Sequence, residues 1–201
     1  MNLAIIGTPE QHQAFAKATA TNSCKVQYIA SLAQLSMPYN AIFHFSFMPS
    51  ADAFTALEAL NTCVFINSVT EVLPPNSTLI RYNGWATLCN YTNLEIACTP
   101  MANPNYINVL NSLAIAFTQV PNTVGMVTPR IVSMLVNEAY YALHDGLSTA
   151  SEIDIAMQLG TNYPYGPITW GNLIGLPFII QLLQALQLQS SRYTLAPNLL
   201  S

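Results

Sequence analysis

Leu3-Ala4-Ile5-Ile6-Gly7-Thr8-Pro9-Glu10-Gln11-His12 opens the chain and decides how its first half is read. An apolar run closed by glycine is the pattern of a short parallel strand, buried on both faces and turning sharply at its end. Residues 10–20 are rich in alanine and suit a helix. Working outward, residues 25–30 carry Val26, Tyr28 and Ile29 and read as a second strand. Residues 41–47 and 63–66 read as further strands, separated by a short helical pattern over 51–60. Strands alternating with helices predict a parallel, doubly wound sheet. Beyond Pro74 and Pro75 a strand pair is expected around 79–82 and 94–97.

A strand that opens a chain and ends in glycine invites comparison with the dinucleotide fingerprint, which needs glycine at its first, third and sixth positions. Here those positions hold Gly7, Pro9 and His12. Pro9 lacks an N–H and adds ring atoms where phosphates would approach. Glu10 sets a carboxylate where a helix N-terminus should greet an anion. Between Glu10 and Asp52 no acidic residue is available for a ribose, and the one basic residue near the expected place is Lys25. Gly7 is therefore read as a strand-to-helix turn kept for its geometry, with no cofactor expected.

Charged residues make up 7% of the 201 residues and apolar ones 52%, so the polar surface must come largely from Asn, Gln, Ser and Thr. Five Lys and Arg in a chain of net charge −4 exclude nucleic acid as a partner class. The longest apolar stretch, residues 173–188, is interrupted by Gly175, Pro177, Gln181, Gln184 and Gln187, so no membrane span is expected. The opening residues have neither a basic segment nor a cleavage-like site, and a cytoplasmic location is expected. Cys24, Cys63, Cys89 and Cys98 have no C-x-x-C spacing and no sequence-neighbouring His. They are expected to be buried or half-buried reduced thiols, with no metal site. The surplus apolar surface is assigned to a protein interface.

The second half changes period. Apolar positions 131, 135, 139 and 143, with 132, 136 and 140, trace one wide helix face, and Gly146 stands ready to end it. Thr149-Ala150-Ser151-Glu152 has capping-box spacing and predicts a helix running to Gly160. Pro164, Gly166 and Pro167 read as a connection, and residues 178–188 as another helix.

The order of these residues says more than their period. Pro129-Arg130-Ile131 and Leu135-Val136-Asn137-Glu138-Ala139 are followed by Gly146, Glu152-Ile153-Asp154-Ile155-Ala156-Met157 and Leu159-Gly160. Then come Tyr163-Pro164-Tyr165-Gly166-Pro167, Leu173-Ile174-Gly175-Leu176 and the closing Arg192-Tyr193-Thr194-Leu195-Ala196-Pro197. In order and spacing this resembles the helical second domain of the 3-hydroxyacyl-CoA dehydrogenase family, over about residues 121–198. Residues 1–100 match that family only in reduced outline. The resemblance implies an α/β then all-α architecture. A reduced Rossmann-like parallel sheet at 1–100 would precede, at 101–201, a helical domain like the C-terminal domain of 6-phosphogluconate dehydrogenase.

Members of that family bind NAD, oxidise the 3-hydroxyl of an acyl-CoA and form dimers through the helical domain. The resemblance places a His about a dozen residues before a Glu that orients it, with a Ser and an Asn holding the substrate oxygen. Leu94-Glu95-Ile96 matches the strand of the orienting Glu, but residues 81–87, Arg-Tyr-Asn-Gly-Trp-Ala-Thr, contain no His. The turn residues survive as Asn67-Ser68-Val69-Thr70, and Pro129 stands where the Asn is expected. Glu95, Ser68 and Thr70 are thus what remains of the catalytic set. Glu95 is either an unpaired relic or an ion-pair partner of Arg81 or Arg130. His44, among Phe43, Phe45 and Phe47, is read as a hydrogen-bonded structural residue, with a relocated base as the alternative. The resulting expectation is a non-catalytic homodimer that binds an acyl-CoA or another small ligand between its halves, around Asn67, Ser68, Asn83, Trp85 and Glu95. The alternative is an active oxidoreductase of fatty-acid metabolism with an altered cofactor site.

Overall fold

The computed structural model describes residues 1–19, 24–36 and 38–200; residue 20 of the expected first helix lies outside them. The chain forms two compact units, Met1–Gly84 with Cys89–Met126, and Trp85–Leu88 with Val127–Ser201. The division thus falls later than the expected residue 100, and a four-residue strap from the first half belongs with the helices.

The first unit is a seven-stranded sheet in the order β2-β1-β3-β4-β5-β6-β7. Its strands are β1 (Asn2–Ile6), β2 (Lys25–Ile29), β3 (Ala41–His44), β4 (Cys63–Asn67), β5 (Ile80–Tyr82), β6 (Asn93–Cys98) and β7 (Ala116–Gln119). The first five are parallel. β6 runs against β5, and β7 runs with β6. Helices α1 (Pro9–Ala18), α2 (Ala51–Glu58) and α3 (Tyr106–Ser112) connect them. Among the described residues between β2 and β3 the chain makes a short 3-10 turn, Leu32–Gln34.

Successive strand residues point to opposite faces, and both faces are buried. Leu3, Ile5, Phe43, Phe65, Tyr82 and Ile96 pack on one side with Phe15 of α1 and Leu110 of α3. Ala4, Ile6, Ile42, Val64 and Ile66 pack on the other with Leu57 of α2, backed by Leu32, Leu35 and Tyr39 of the short connection. Phe43 and Phe65 stack at 4.4 Å between adjacent strands, and burying each ring stabilises the unit by about 1.5–3 kcal/mol. Neither α3 nor β7 was expected from the sequence. Leu110, Leu113 and Ile115 join the sheet core, which keeps this segment with the first unit.

The second unit is helical: α4 (Thr128–His144), α5 (Ala150–Thr161), α6 (Pro167–Ile174) and α7 (Leu176–Gln187). The expected capping box forms, with Thr149 and Glu152 closing the start of α5. α6 lies where a connection was expected, because Pro167 occupies the first turn of a helix, where a missing N–H costs nothing. Asp154 of α5 holds that helix start. Its two carboxylate oxygens accept the N–H groups of Ile168 and Thr169 at 2.7 and 2.9 Å. Gly166 is required beside it, since a Cβ there would overlap Asp154. Asn137 of α4 binds the closing segment, donating to the Thr194 carbonyl at 2.8 Å and accepting from the Ala196 N–H at 2.9 Å. Thr87 of the strap, held at φ +66°, accepts the Trp170 indole N–H at 2.7 Å.

Candidate functional site

β4, β5 and β6 bring Asn67, Asn83 and Glu95 to one end of three neighbouring strands. Asn67 pairs with Tyr82 in register, and Tyr82 with Ile96, so Asn83 and Glu95 stand just past the last paired residues. The Asn83 N–H donates to the Glu95 carbonyl at 3.0 Å, and the Asn83 side-chain amide donates to Glu95 Oε2 at 3.5 Å. Asn83 is buried and Glu95 half-buried. Asn67 ties the neighbouring loop down. Its amide donates to the Phe45 carbonyl and its Oδ1 accepts the Gly84 N–H, both at 3.0 Å. Three of the expected site residues therefore meet, and Glu95 is not an unpaired relic.

The turn after β4 is held differently from expectation. The buried Ser68 hydroxyl donates to the Glu71 carbonyl at 3.2 Å, within its own turn. Thr70 sits half-buried in the same turn. Trp85 belongs to the second unit, where its ring lies 6.4 Å from that of Phe178. The ligand group expected from sequence is thus reduced, within the first unit, to Asn67, Ser68, Asn83 and Glu95.

Arg81 has a role that sequence reasoning missed. It is fully buried. Its Nε donates to the Ser68 carbonyl at 2.9 Å, one terminal nitrogen to the Val69 carbonyl at 2.6 Å and the other to Asn122 Oδ1 at 3.2 Å. Burial lowers its pKa to about 10, opposed by the charges of Glu71 and Glu95. A guanidinium offers several donors in a fixed plane, which suits a cluster of carbonyl acceptors. Asn122 also pairs with both backbone groups of Leu73, at 3.1 and 3.0 Å. Arg81 and Asn122 together fix the turn that carries Ser68 and Thr70.

His44 ends β3, its ring edge-on to Phe47 at 5.6 Å. Its Nδ1 is buried without a hydrogen-bond partner, which corrects the expected hydrogen-bonded role. Burial depresses its pKa to about 4, far below the range that suits a general base at neutral pH.

The turn after β1 is where a sheet of this kind would hold a dinucleotide. A capping box between Thr8 and Gln11 closes the start of α1, and Pro9 fills its first position. Residues arranged in this way do not fit a pyrophosphate. Among the described residues no group of three or more His, Cys, Asp or Glu could hold a metal ion. All four cysteines are free thiols, buried at Cys63 and half-buried at the others. A separate depression of about 500 Å³ opens where β1 and β3 begin, lined by Met1, Asn40, Asn105, Asn108, Val109 and Ser112, and none of these side chains is charged. No single helix among the described residues is long and apolar enough to cross a membrane.

Residues 125–201 match the family described as 3-hydroxyacyl-CoA dehydrogenase, C-terminal domain. The likeness is to the helical domain of the 3-hydroxyacyl-CoA dehydrogenase family. Over 69 residues the chain is 46% identical to a 3-hydroxyadipyl-CoA dehydrogenase of Escherichia coli K12, covering 34% of this chain and 14% of that protein. Over 77 residues it is 39% identical to a 3-hydroxybutyryl-CoA dehydrogenase of Clostridioides difficile, covering 37% of this chain and 27% of that one. The chain thus spans less than a third of the length of these curated relatives. An (S)-3-hydroxybutyryl-CoA dehydrogenase from Ralstonia eutropha superposes with a TM-score of 0.78 over 98% of this chain and 91% of that one. At 17% identity that likeness is one of fold. It shows a Rossmann-like sheet followed by a helical domain.

Proposed function

We propose that this 3-hydroxyacyl-CoA dehydrogenase-like chain binds an acyl-CoA or a related small ligand and performs no hydride transfer. One observation carries the reading. The Glu95 carboxylate, which in the family orients a His, here accepts the amide of Asn83. A carboxamide is not a base near neutral pH, so Asn83 can help hold a ligand oxygen but cannot take a hydroxyl proton as a His would. Asn67, Ser68, Asn83 and Glu95 form the first unit's ligand-binding group.

The helical half is proposed to join a second copy. Ile131, Ile155 and Leu159 are exposed on α4 and α5, and a second copy would withdraw this apolar surface from water.

Thermal unfolding of the full chain with and without 3-hydroxybutyryl-CoA tests the reading, alongside NADH production from the same substrate and NAD. A ligand bound only by the folded state raises the midpoint. A raised midpoint without NADH production is expected. Steady NADH production would replace this reading with that of an active oxidoreductase.

A further inference from the structure

A doubly wound sheet receives ligands at the carboxyl ends of its strands, where the strand order reverses. Here that place is β1, with β2 on one side and β3 on the other. We infer that this crevice is closed to dinucleotides by its own hydrogen bonds, at both the pyrophosphate and the ribose ends.

Each backbone group from Gly7 to His12 can be accounted for. Gly7 N–H donates to the Ile29 carbonyl at 3.2 Å. Thr8 N–H donates to Gln11 Oε1 at 2.9 Å, and Pro9 has no N–H. The Thr8 side chain and the Glu10 backbone N–H hold the Glu10 carboxyl below its ordinary pKa. Gln11 N–H donates to Thr8 Oγ1 at 3.4 Å, and His12 N–H to the Thr8 carbonyl at 3.0 Å. A phosphate arriving at the start of α1 therefore meets N–H groups of Gly7, Thr8, Gln11 and His12 that are already engaged. It also meets the exposed, ionised carboxylate of Glu10.

Side chains complete the closure. The Gln11 Oε1 and the Phe45 ring lie over Gly7, where a Cβ would meet them at 2.6 and 3.0 Å. The space that glycine leaves for a close ligand is thus filled from within the chain. At the sixth fingerprint position the His12 ring packs on Tyr28 of β2, 5.0 Å between centroids. At the end of β2, where an acid would hold a ribose, Gln34 Oε1 accepts the Ala30 N–H at 2.7 Å. Gln27 binds the Ser36 hydroxyl at 3.2 Å, the Gln34 carbonyl at 3.3 Å and the Tyr39 hydroxyl, so the short connection is fastened over this end.

The inference concerns the turn after β1 and not the Asn83–Glu95 pair, and it uses different probes, so its failure and that of the acyl-ligand reading can be told apart. NADH is titrated into the full chain and followed by its fluorescence, and inorganic pyrophosphate by calorimetry. No saturable binding of either is expected up to about 1 mM, a limit of about 4 kcal/mol in binding free energy. Saturable NADH binding that Gly7→Val weakens would overturn the inference. The variant Glu10→Gln/Gln11→Ala frees the Thr8 N–H group, which loses Gln11 Oε1, and removes the carboxylate. With circular dichroism confirming that it folds, it is expected to bind pyrophosphate at least about tenfold more tightly than the parent. Gln11→Ala alone, which keeps Glu10 and Pro9, is expected to show a smaller gain in the same direction. Folded variants that gain nothing would equally overturn the inference.

Discussion

Asn83 and Glu95, 12 positions apart, are joined twice across the antiparallel β5–β6 pair, through the main chain at 3.0 Å and through amide and carboxylate at 3.5 Å. Replacing the amide with a second acid reverses the sign of this contact. Asn83→Asp is expected to cost about 1–2 kcal/mol at pH 7, because two carboxylates sharing a site cannot both ionise freely. One carboxyl then has a raised pKa, so its contribution is lost as pH rises and restored as pH falls through that value. Urea unfolding at pH 7 and at pH 5 should show the deficit shrinking at the lower pH.

His44 supplies a second pH dependence. Its pKa is depressed from 6.5 to about 4 in the folded chain, so the unfolded chain binds this proton first. Stability is complete above about pH 6.5 and falls as pH drops toward 4, by up to about 3 kcal/mol over that window. His44→Leu removes the titrating group. A urea midpoint that declines between pH 6.5 and 4 as steeply in the variant as in the parent would refute this assignment.

Arg81 links two turn carbonyls and Asn122. Arg81→Met preserves much of its length and leaves these acceptors buried without donors, at an expected cost of about 3 kcal/mol or more. Arg81→Lys should recover only part of this, since one ammonium cannot meet acceptors spread over a plane. Denaturant midpoints for the two variants should differ in that order.

Asp154 caps the start of α6, within the helical unit. Asp154→Ala leaves the Ile168 and Thr169 N–H groups without their acceptor and is expected to cost about 1–2 kcal/mol. The melting temperature should fall, while acyl-CoA binding by the remaining folded protein persists.

Leu159 tests the proposed interface. It is 83% exposed, so Leu159→Glu should change the stability of a single chain by no more than about 0.5 kcal/mol. If a second copy covers it, the variant should sediment as a monomer at concentrations where the parent is a dimer. Equal sedimentation of the two would count against this surface as the interface.

The sequence was most legible where one physical requirement governed a segment. Strands β1, β3 and β4 show as unbroken apolar runs because both their faces are buried. Thr149 and Glu152 announced α5 because a capping box is local chemistry. α6 was hidden because Pro167, which normally punctuates, here begins a helix. β7 lies at the sheet edge with Ala116, Thr118 and Gln119 exposed, so it lacks the apolar signal of a buried strand. The spacing of Asn83 and Glu95 could be read, but not their bond. The use of Arg81 depended on where distant carbonyls came to lie, which no spacing rule supplies. The strap escaped sequence reading for a related reason, since nothing local marks four residues, Trp85–Leu88, that leave the sheet unit.

That strap bears on how the protein can be divided. The chain enters the helical unit at Trp85, returns to the sheet at Cys89 and crosses again after Met126. A protease cut beside Met126 would therefore leave the products threaded together by residues 85–88. A gene fragment beginning at residue 127 would lack Thr87 and strand the indole proton of Trp170, so the helical half should be excised only with its strap supplied.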